Sequence, residues 1–585
     1  MTAILGISGL ANSVRFKRAK WPGLEEREYR ISQGHDAAAA LVVDGRIVAA
    51  AAEERFNRQK HSGAFPRGAA EFCLRQAGLA PADLSEIAHA FNYAPYEEIY
   101  SLDPVSEELF DEVFSREALL GEVEDFAPDF SLDKVHQVGH HLCHAASAYL
   151  VSGWDQCLTV VIDAMGETQG ASIYHARCGD IRRLTEISAN DSIGILYSLV
   201  TLHLGFDFNS DEYKIMGLAP YGDPDRYQAA YAAMVDLRPG GTLRIPILRL
   251  NRTRDERENY LKTREWLAAN LLPARDPEAE ITQEHRDAAA GLQACLNRAV
   301  GHICGHFAGI TGQRKLAMAG GVALNCTANG LLMRSGLFDE IFVQPAAGDD
   351  GAALGAALFR ASLRGPLECR RMPTPLLGPE YAQPAMAEAL QDFAGRVKVR
   401  HFDDFAAVAQ SAAERINHGE VIGWYRGRME FGPRALGNRS ILADPGHSEM
   451  RDRINAMVKM REAFRPFAPA VSIEQVDKWF EVPPRTALPY MIATVMVRPE
   501  YRAALPAITH VDGSARVQTV ACEDNPDFHR LLRQVGELNG REMVLNTSFN
   551  VKGQPIVNTP RQAIETFLGT GIDALFLGDF LVTRA

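Results

Sequence analysis

The sequence predicts an α/β protein built from two domains, and three observations carry that prediction. The chain has 585 residues, more than one hydrophobic core organises, so at least two domains are expected. Residues 1–362 alternate apolar strand patterns with helical ones, as a mixed α/β domain does. Residues 363–384, "LRGPLECRRMPTPLLGPEYAQP", hold several prolines and no periodicity. They read as a linker, leaving residues 385–585 as a second α/β or α+β domain.

The elements follow in order. "AILGISGL" is a buried strand. "AAAALVVDGRIVAAAAEERF" places Asp44-Gly45 between two apolar runs, a hairpin signal for a type I′ turn. "KVHQV" is a short strand, and "HHLCHAASAYL" a helix that opens on histidines. "CLTVVIDAMGETQGASIYHA" is strand, glycine turn, strand. "SIGILYSLVTLHLGF" is a helix capped by Asp191 or Ser192. Residues 281–310 form one long helical region, and "KLAMAGGVALNCTANGLL" is strand, glycine turn, helix. In the second domain "EMVLNTSFN" is a strand and loop. "NTPRQAIETFL" starts a helix with Thr559 as N-cap, Pro560 at the first position and Gln562 closing a capping box. No internal repeat is visible.

Composition narrows the function. The chain is 46% hydrophobic and 23% charged, with a net charge of −13. That charge offers nothing to nucleic acid or an anionic membrane, although a local basic pocket for a small anion is compatible with it. Nine cysteines, odd in number and without CxxC, read as thiols in a reducing cytosol. There is no secretory signal pattern and no membrane-length apolar run. A cytoplasmic protein is expected.

Four groups of residues carry chemistry. His140 and His144 are four apart, on one helical face, where two neutral imidazoles can chelate one ion; satisfied core histidines are the plainer reading. Asp163 and Asp349 sit at strand ends, where α/β folds build ligand sites; helix capping is their plainer reading, as it is for Asp350. Gly320-Gly321 lies between a strand and a helix, a turn that lets a nucleotide approach the backbone, though a tight turn alone explains it. In the second domain Arg426, Arg428, Arg434, Arg439, Lys459, Arg461, Arg465 and Arg516 lie among glycines and prolines. Arginine suits bidentate phosphate contacts and lysine supplies a point charge. A solvated basic face fits poorly, because Trp424, Phe431, Leu436, Phe464 and Phe467 flank these cations and favour burial.

"GHDAAAALVVDGRIVAAAAEERFNRQKH", "HHLCHAASAYL", "VIDAMGE", "KIMGLAPYG", "AGGVALN", "GRMEFGPRALGNRS", "FRPFAPA" and "LNTSFNVKGQPIV" occur in that order. Together they resemble the O-carbamoyltransferases of the NodU/TobZ type over nearly the whole chain. The resemblance implies an N-terminal Kae1-like domain of the actin, sugar-kinase and Hsp70 superfamily, followed by a C-terminal YrdC-like domain. It implies that carbamoyl phosphate and ATP, with Mg²⁺, give carbamoyladenylate in the second domain. The first domain then passes the carbamoyl group to a hydroxyl of a small molecule, such as a natural product or sugar, and AMP leaves. His140, His144, Asp163 and Asp349 match ligands of a divalent ion, Fe²⁺ or Mn²⁺. His35 is the candidate base, with Asp36 as its orienter, and Lys60 and His61 are candidates for substrate or phosphate. Gly320, Gly321 and Asn325 are expected to line the adenosine site, and Lys214 matches a family motif. Arg426, Arg434, Arg439, Lys459, Arg465 and Arg516 are expected at phosphates, Lys459 and Arg434 in catalysis, with Asn546 and Ser548 adding neutral hydrogen bonds. A homodimer is compatible with this reading; nucleic-acid and membrane partners are not expected. Residues 13–33 separate the first strand from His35, either shaping acceptor choice or forming a surface loop. Two other readings compete: threonylcarbamoyl transfer to tRNA, and an actin-like scaffold without transfer chemistry.

Overall fold

The computed structural model describes residues 1–365, 367, 371–372, 374–459, 462 and 464–585, with Lys459 described in its backbone alone. The chain divides into two compact units, Met1–Asn57 with His61–Met372, and Arg58–Lys60 with Pro373–Ala585.

The first unit holds two five-stranded sheets. One contains β1 (Ala3–Ser8), β2 (Ala38–Val43), β3 (Arg46–Ala52), β4 (Glu86–His89) and β5 (Val135–Gln137), in the order β3-β2-β1-β4-β5. Its first three strands are antiparallel, and β4 and β5 extend it in parallel. The other contains β6 (Gln156–Ile162), β7 (Gln169–Arg177), β8 (Asp180–Ser188), β11 (Lys315–Ala319) and β12 (Glu340–Val343). A small ribbon of β9 (Asp236–Arg238) and β10 (Thr242–Arg244) stands apart. The second sheet runs β12-β11-β6-β7-β8, again with three antiparallel strands followed by two parallel ones. The unit therefore repeats one topology, although its sequence shows no repeat. β1 is buried at every residue and β6 at all but its first, which is why both read as continuous apolar runs rather than alternating ones. The β2–β3 turn has Asp44 at φ 48° and Gly45 at φ 75°, as a type I′ turn requires.

Each repeat ends in a helix, α2 (His140–Tyr149) after β5 and α5 (Asp349–Ser362) after β12. These two helices pack on one another. A Cβ on Gly355 would lie 1.8 Å from the Cys143 carbonyl oxygen, so glycine is what lets them approach. Between β8 and β11 runs the long helix α3 (Gln283–Thr311), and between β11 and β12 lies α4 (Cys326–Arg334).

Residues 13–33 are docked, which corrects the surface-loop alternative. They form α1 (Ser13–Lys20) and a short turn of helix at Glu26–Arg30. Lys17 is buried and donates from Nζ to the Glu258 carbonyl (2.6 Å). Trp21 Nε1 donates to Asp255 (2.9 Å) and Glu28 pairs with Arg264.

The second unit is built on a mixed sheet of β13 (Val397–His401), β14 (Ile422–Tyr425), β15 (Arg439–Ala443), β16 (Ala468–Ser472), β19 (Gln518–Val520), β20 (Met543–Ser548), β21 (Ala574–Leu577) and β22 (Phe580–Arg584). Its order is β13-β22-β21-β14-β15-β20-β16-β19. β17 (Thr494–Met496) and β18 (Ser514–Arg516) form a separate antiparallel pair. Helices α6 (Phe405–Asn417) and α7 (Pro526–Asn539) pack together over a core that includes Val408, Ile416, Trp424, Phe528 and Phe576. The Pro560–Leu568 helix carries the expected capping box of Thr559 and Gln562. Among the described residues no helix is long and apolar enough to cross a membrane.

Candidate functional site

In the first unit His140, His144, Asp163 and Asp349 converge. Each offers a donor atom within 4.8 Å of the others. His140 opens α2, Asp349 opens α5, and Asp163 follows β6. His140 Nε2 is 3.3 Å from Asp349 Oδ1 and 3.5 Å from Asp163 Oδ2. His144 Nε2 is 3.7 and 3.9 Å from the same oxygens, and 3.0 Å from His140 Nε2. Both imidazoles are fully buried.

This spacing fits a bound divalent ion. Ligand atoms about 2.1 Å from a shared tetrahedral centre stand about 3.4 Å apart, and the distances here bracket that value. His140 Nδ1 donates to the Ala90 carbonyl (3.0 Å). This bond fixes the ring so that Nε2 faces the cluster, the usual support for a ligating histidine. Burial alone lowers the His140 pKa; the Asp349 and Asp163 carboxylates outweigh it and raise the pKa well above the usual range. Burial likewise opposes ionisation of Asp163, but the two histidines win and hold its carboxyl below the usual range. His141 turns away: its Nδ1 meets Ser172 Oγ at 2.8 Å, and burial pushes its pKa down to about 3.

Two supports of this cluster were not singled out in the sequence. Buried Glu167, within "VIDAMGE", accepts from the backbone N–H of His140 and of Asn92, both at 2.8 Å. A carboxylate is favoured at a helix N-terminus. Phe91 stacks on the His140 ring at 4.1 Å. The Gly320-Gly321 turn also serves the cluster: Gly321 N–H donates to Asp163 Oδ1 (2.9 Å). Gly320 has φ +88°, and a Cβ there would lie 2.4 Å from the Ile162 carbonyl oxygen. Asn325, expected at adenosine, caps α4 through the Ala328 N–H and pairs with Gln293. Lys214 Nζ lies 2.8 Å from Asp211.

The expected pairing of Asp36 with His35 needs correction. Asp36 Oδ1 lies 2.8 Å from His61 Nδ1. A carboxylate only accepts, so His61 Nδ1 is the donor, and in the neutral ring Nε2 carries the lone pair. That Nε2 is buried and has no hydrogen-bond partner among the described residues. His35 instead uses both ring nitrogens elsewhere, Nδ1 at the His61 carbonyl (3.3 Å) and Nε2 at Ser32 Oγ (3.0 Å).

The second unit divides its arginines. Arg439 is 0% exposed and donates to the carbonyls of Arg426, Gly427, Asn438 and Pro379 while its guanidinium covers the Tyr425 ring. It is a structural residue, which corrects its expected place at a phosphate. Arg426 is held by Asp527 and Asp579, a second correction. Arg434, Arg465 and Arg516 are half-buried, and Arg465 lies 3.5 Å from Glu462. The Lys459 side chain and Arg461 lie outside the described residues. Asn546 donates to the Ala435 carbonyl (3.2 Å) and Gln518 (2.8 Å), and Ser548 donates to Asn550 (2.7 Å). In the sequence Glu430 stands out only as the one acid between Arg426 and Arg439, and its role as organiser of the region is not legible there. Buried Glu430 accepts from the N–H groups of Leu436, Asn438 and Arg439 at 2.8–3.1 Å. It winds the Arg434-bearing loop around one carboxylate.

Two family models match this chain, one described as "Carbamoyltransferase N-terminus" over residues 29–358 and one as "Carbamoyltransferase C-terminus" over residues 413–584. The chain is similar to "Nodulation protein NolNO" of Sinorhizobium fredii, 40% identical over 558 residues, covering 94% of this chain and 79% of that protein. It is 43% identical over 450 residues to "Nodulation protein NolO" of Bradyrhizobium diazoefficiens, covering 76% and 79%. A "3'-hydroxymethylcephem-O-carbamoyltransferase" of Amycolatopsis lactamdurans is 34% identical over 279 residues, covering 46% of this chain and 49% of that protein.

Proposed function

The chain belongs to the carbamoyltransferase family, and from that premise we propose that it moves a carbamoyl group onto an acceptor hydroxyl in two half-reactions. The observation that carries the reading is the match of both family models, in order, on one chain whose first unit gathers His140, His144, Asp163 and Asp349. The likeness to a cephem O-carbamoyltransferase supports an oxygen acceptor. The repeated strand order of the first unit supports a Kae1-like fold over residues 1–362, and we assign residues 385–585 to a YrdC-like fold.

In the second unit, water cleaves carbamoyl phosphate to carbamate and phosphate. A carbamate oxygen then attacks the α-phosphorus of ATP, the bond from that phosphorus to the β-phosphate oxygen breaks, and carbamoyladenylate forms as pyrophosphate leaves. Arg434, Arg516, Arg465 and Lys459 are the cations assigned to those phosphates. Attachment to AMP matters because nitrogen donates into the carbamoyl carbonyl and leaves it a poor electrophile. In the first unit the acceptor oxygen attacks the carbamoyl carbon, the bond from that carbon to the phosphate oxygen breaks, and AMP leaves. A hydroxyl has a pKa far above 7, so its proton must pass to a base near the transition state. His61 suits this role better than His35, because Asp36 holds its Nδ1–H and leaves Nε2 to accept. His35 then positions His61 through its carbonyl. A divalent ion held by His140, His144, Asp163 and Asp349, Fe²⁺ or Mn²⁺ as the family resemblance implies, would supply positive charge for the departing phosphate.

The decisive experiment uses the purified protein with ATP, Mg²⁺ and carbamoyl phosphate and no acceptor, with nucleotides identified by mass spectrometry. Carbamoyladenylate, or AMP release that requires carbamoyl phosphate, is expected. ADP as the sole product would overturn the scheme.

A further inference from the structure

The second unit contains a histidine that the scheme above does not use. His510 sits in a tight turn, closed by its N–H on the Ser514 carbonyl (2.8 Å) and by the Gly513 N–H on its own carbonyl (2.9 Å). Its Nδ1 lies 3.1 Å from Ser514 Oγ. Ser514 Oγ lies 2.8 Å from Asp512 Oδ1, which also takes the Ser514 N–H (2.9 Å).

This chain of contacts fixes where the protons are. The Asp512 carboxylate only accepts, so it takes the single Ser514 hydroxyl proton. Ser514 Oγ is then left to accept, and His510 Nδ1 must be the donor. The lone pair of the neutral ring is therefore on Nε2. That Nε2 is buried and has no hydrogen-bond partner among the described residues. Burial pushes the His510 pKa down to about 4, with Asp512 opposing and the charge of Arg516 reinforcing the shift, so the ring is neutral at ordinary pH. Ser514 and Arg516 lie on the same strand, β18. The fold thus places a preset acceptor within electrostatic reach of a cation assigned to phosphate. A buried acceptor without a donor is costly unless a ligand supplies one.

We propose that His510 Nε2 accepts a hydrogen bond from the carbamoyl NH₂ of carbamoyl phosphate, and so selects a carbamoyl donor over other acyl phosphates. This rests on the two-half reading above. Carbamoyl phosphate carries one N–H donor group, and acetyl phosphate has a methyl of similar size in its place. A site that hydrogen-bonds a substrate N–H rejects the analogue lacking it. Asp512 and Ser514 act as positioning residues that hold the tautomer.

The test measures pyrophosphate release from ATP and Mg²⁺ by wild type, His510→Phe and His510→Gln, with carbamoyl phosphate as substrate and acetyl phosphate and inorganic phosphate as competing ligands. In His510→Phe the KM for carbamoyl phosphate is expected to rise roughly 10- to 100-fold, with both inhibition constants unchanged. In His510→Gln an amide oxygen can stand where Nε2 stood, and most of the affinity is expected to return. An unchanged KM in His510→Phe overturns the proposal. So does a parallel loss for all three ligands, which would mean a damaged phosphate pocket rather than a lost amide contact. If wild type releases no pyrophosphate in response to carbamoyl phosphate, the two-half reading itself fails and takes this inference with it. Release by wild type with no difference in His510→Phe sinks this inference alone.

Discussion

His140 Nε2 lies 3.3 Å from Asp349 Oδ1 because each residue opens the helix that closes one of two topological repeats. The repeats bring the N-termini of α2 and α5 together, and β6 delivers Asp163 to the same point. Three distant stretches of chain thereby build one ligand set. His144→Ala is expected to lower the metal content of purified protein at least 10-fold, read by plasma mass spectrometry. Acceptor carbamoylation should fall with it while carbamoyladenylate formation persists. Equal loss of both half-reactions would contradict a split site.

The approach of α2 and α5 depends on Gly355. Gly355→Ala places a methyl carbon 1.8 Å from the Cys143 carbonyl oxygen as the helices stand, so they must part. Overpacking of this kind costs about 1–3 kcal/mol. A lower denaturation midpoint together with weaker metal binding is expected. Unaltered metal affinity would show that the ligand geometry does not rely on this contact.

Asp36→Asn removes the carboxylate that sets the His61 tautomer. A comparable change in a catalytic triad costs about 10⁴-fold in rate. A fall of at least 100-fold in carbamoyl transfer is expected, with adenylate formation within twofold of wild type. Transfer at the wild-type rate would return the role of base to another residue.

The two classes of arginine separate by stability. Arg439→Met removes donors to four carbonyls in the interior, and a loss of about 3 kcal/mol or more is expected from a broken buried network. Arg434→Ala lies at a half-buried site and is expected to abolish adenylate formation at little cost in stability. Chemical denaturation beside a pyrophosphate assay distinguishes them, and a reversed pattern would refute the division.

Lys17 gives a pH signature to the docked insertion. Burial lowers its pKa from 10.5 to about 8, against the raising influence of Glu258 and Glu28. The folded chain then binds fewer protons than the unfolded chain between pH 8 and 10.5, so this residue's contribution to stability rises with pH across that window. Below pH 8 the full penalty of burying its charge applies. Relative to Lys17→Met, wild type should gain on the order of 3 kcal/mol between pH 8 and 10.5. A flat difference would mean that Lys17 is solvated.

Much was legible locally. The Asp44-Gly45 hairpin, the Thr559 cap and the pairing of His140 with His144 follow from short patterns, because turn chemistry, capping and helical spacing act within a few residues; Asp163 and Asp349 joined that pair through the family resemblance. The motifs also carried the family resemblance. The partners of polar side chains were not legible. Arg439 and Arg426 read as phosphate ligands because sequence shows charge but not the carbonyls and carboxylates that claim it. Asp36 follows His35 in sequence, yet its carboxylate meets His61, 25 positions on. Glu167 and Glu430 were hidden for the same reason, since what they accept is backbone N–H, which every residue but proline offers. The sequence by itself determined an α/β chain of two parts, its family resemblance and the residue types of its chemistry. Only the tertiary structure decided which of those residues meet, because that depends on two repeated sheets and one close helix contact formed between segments far apart in the chain.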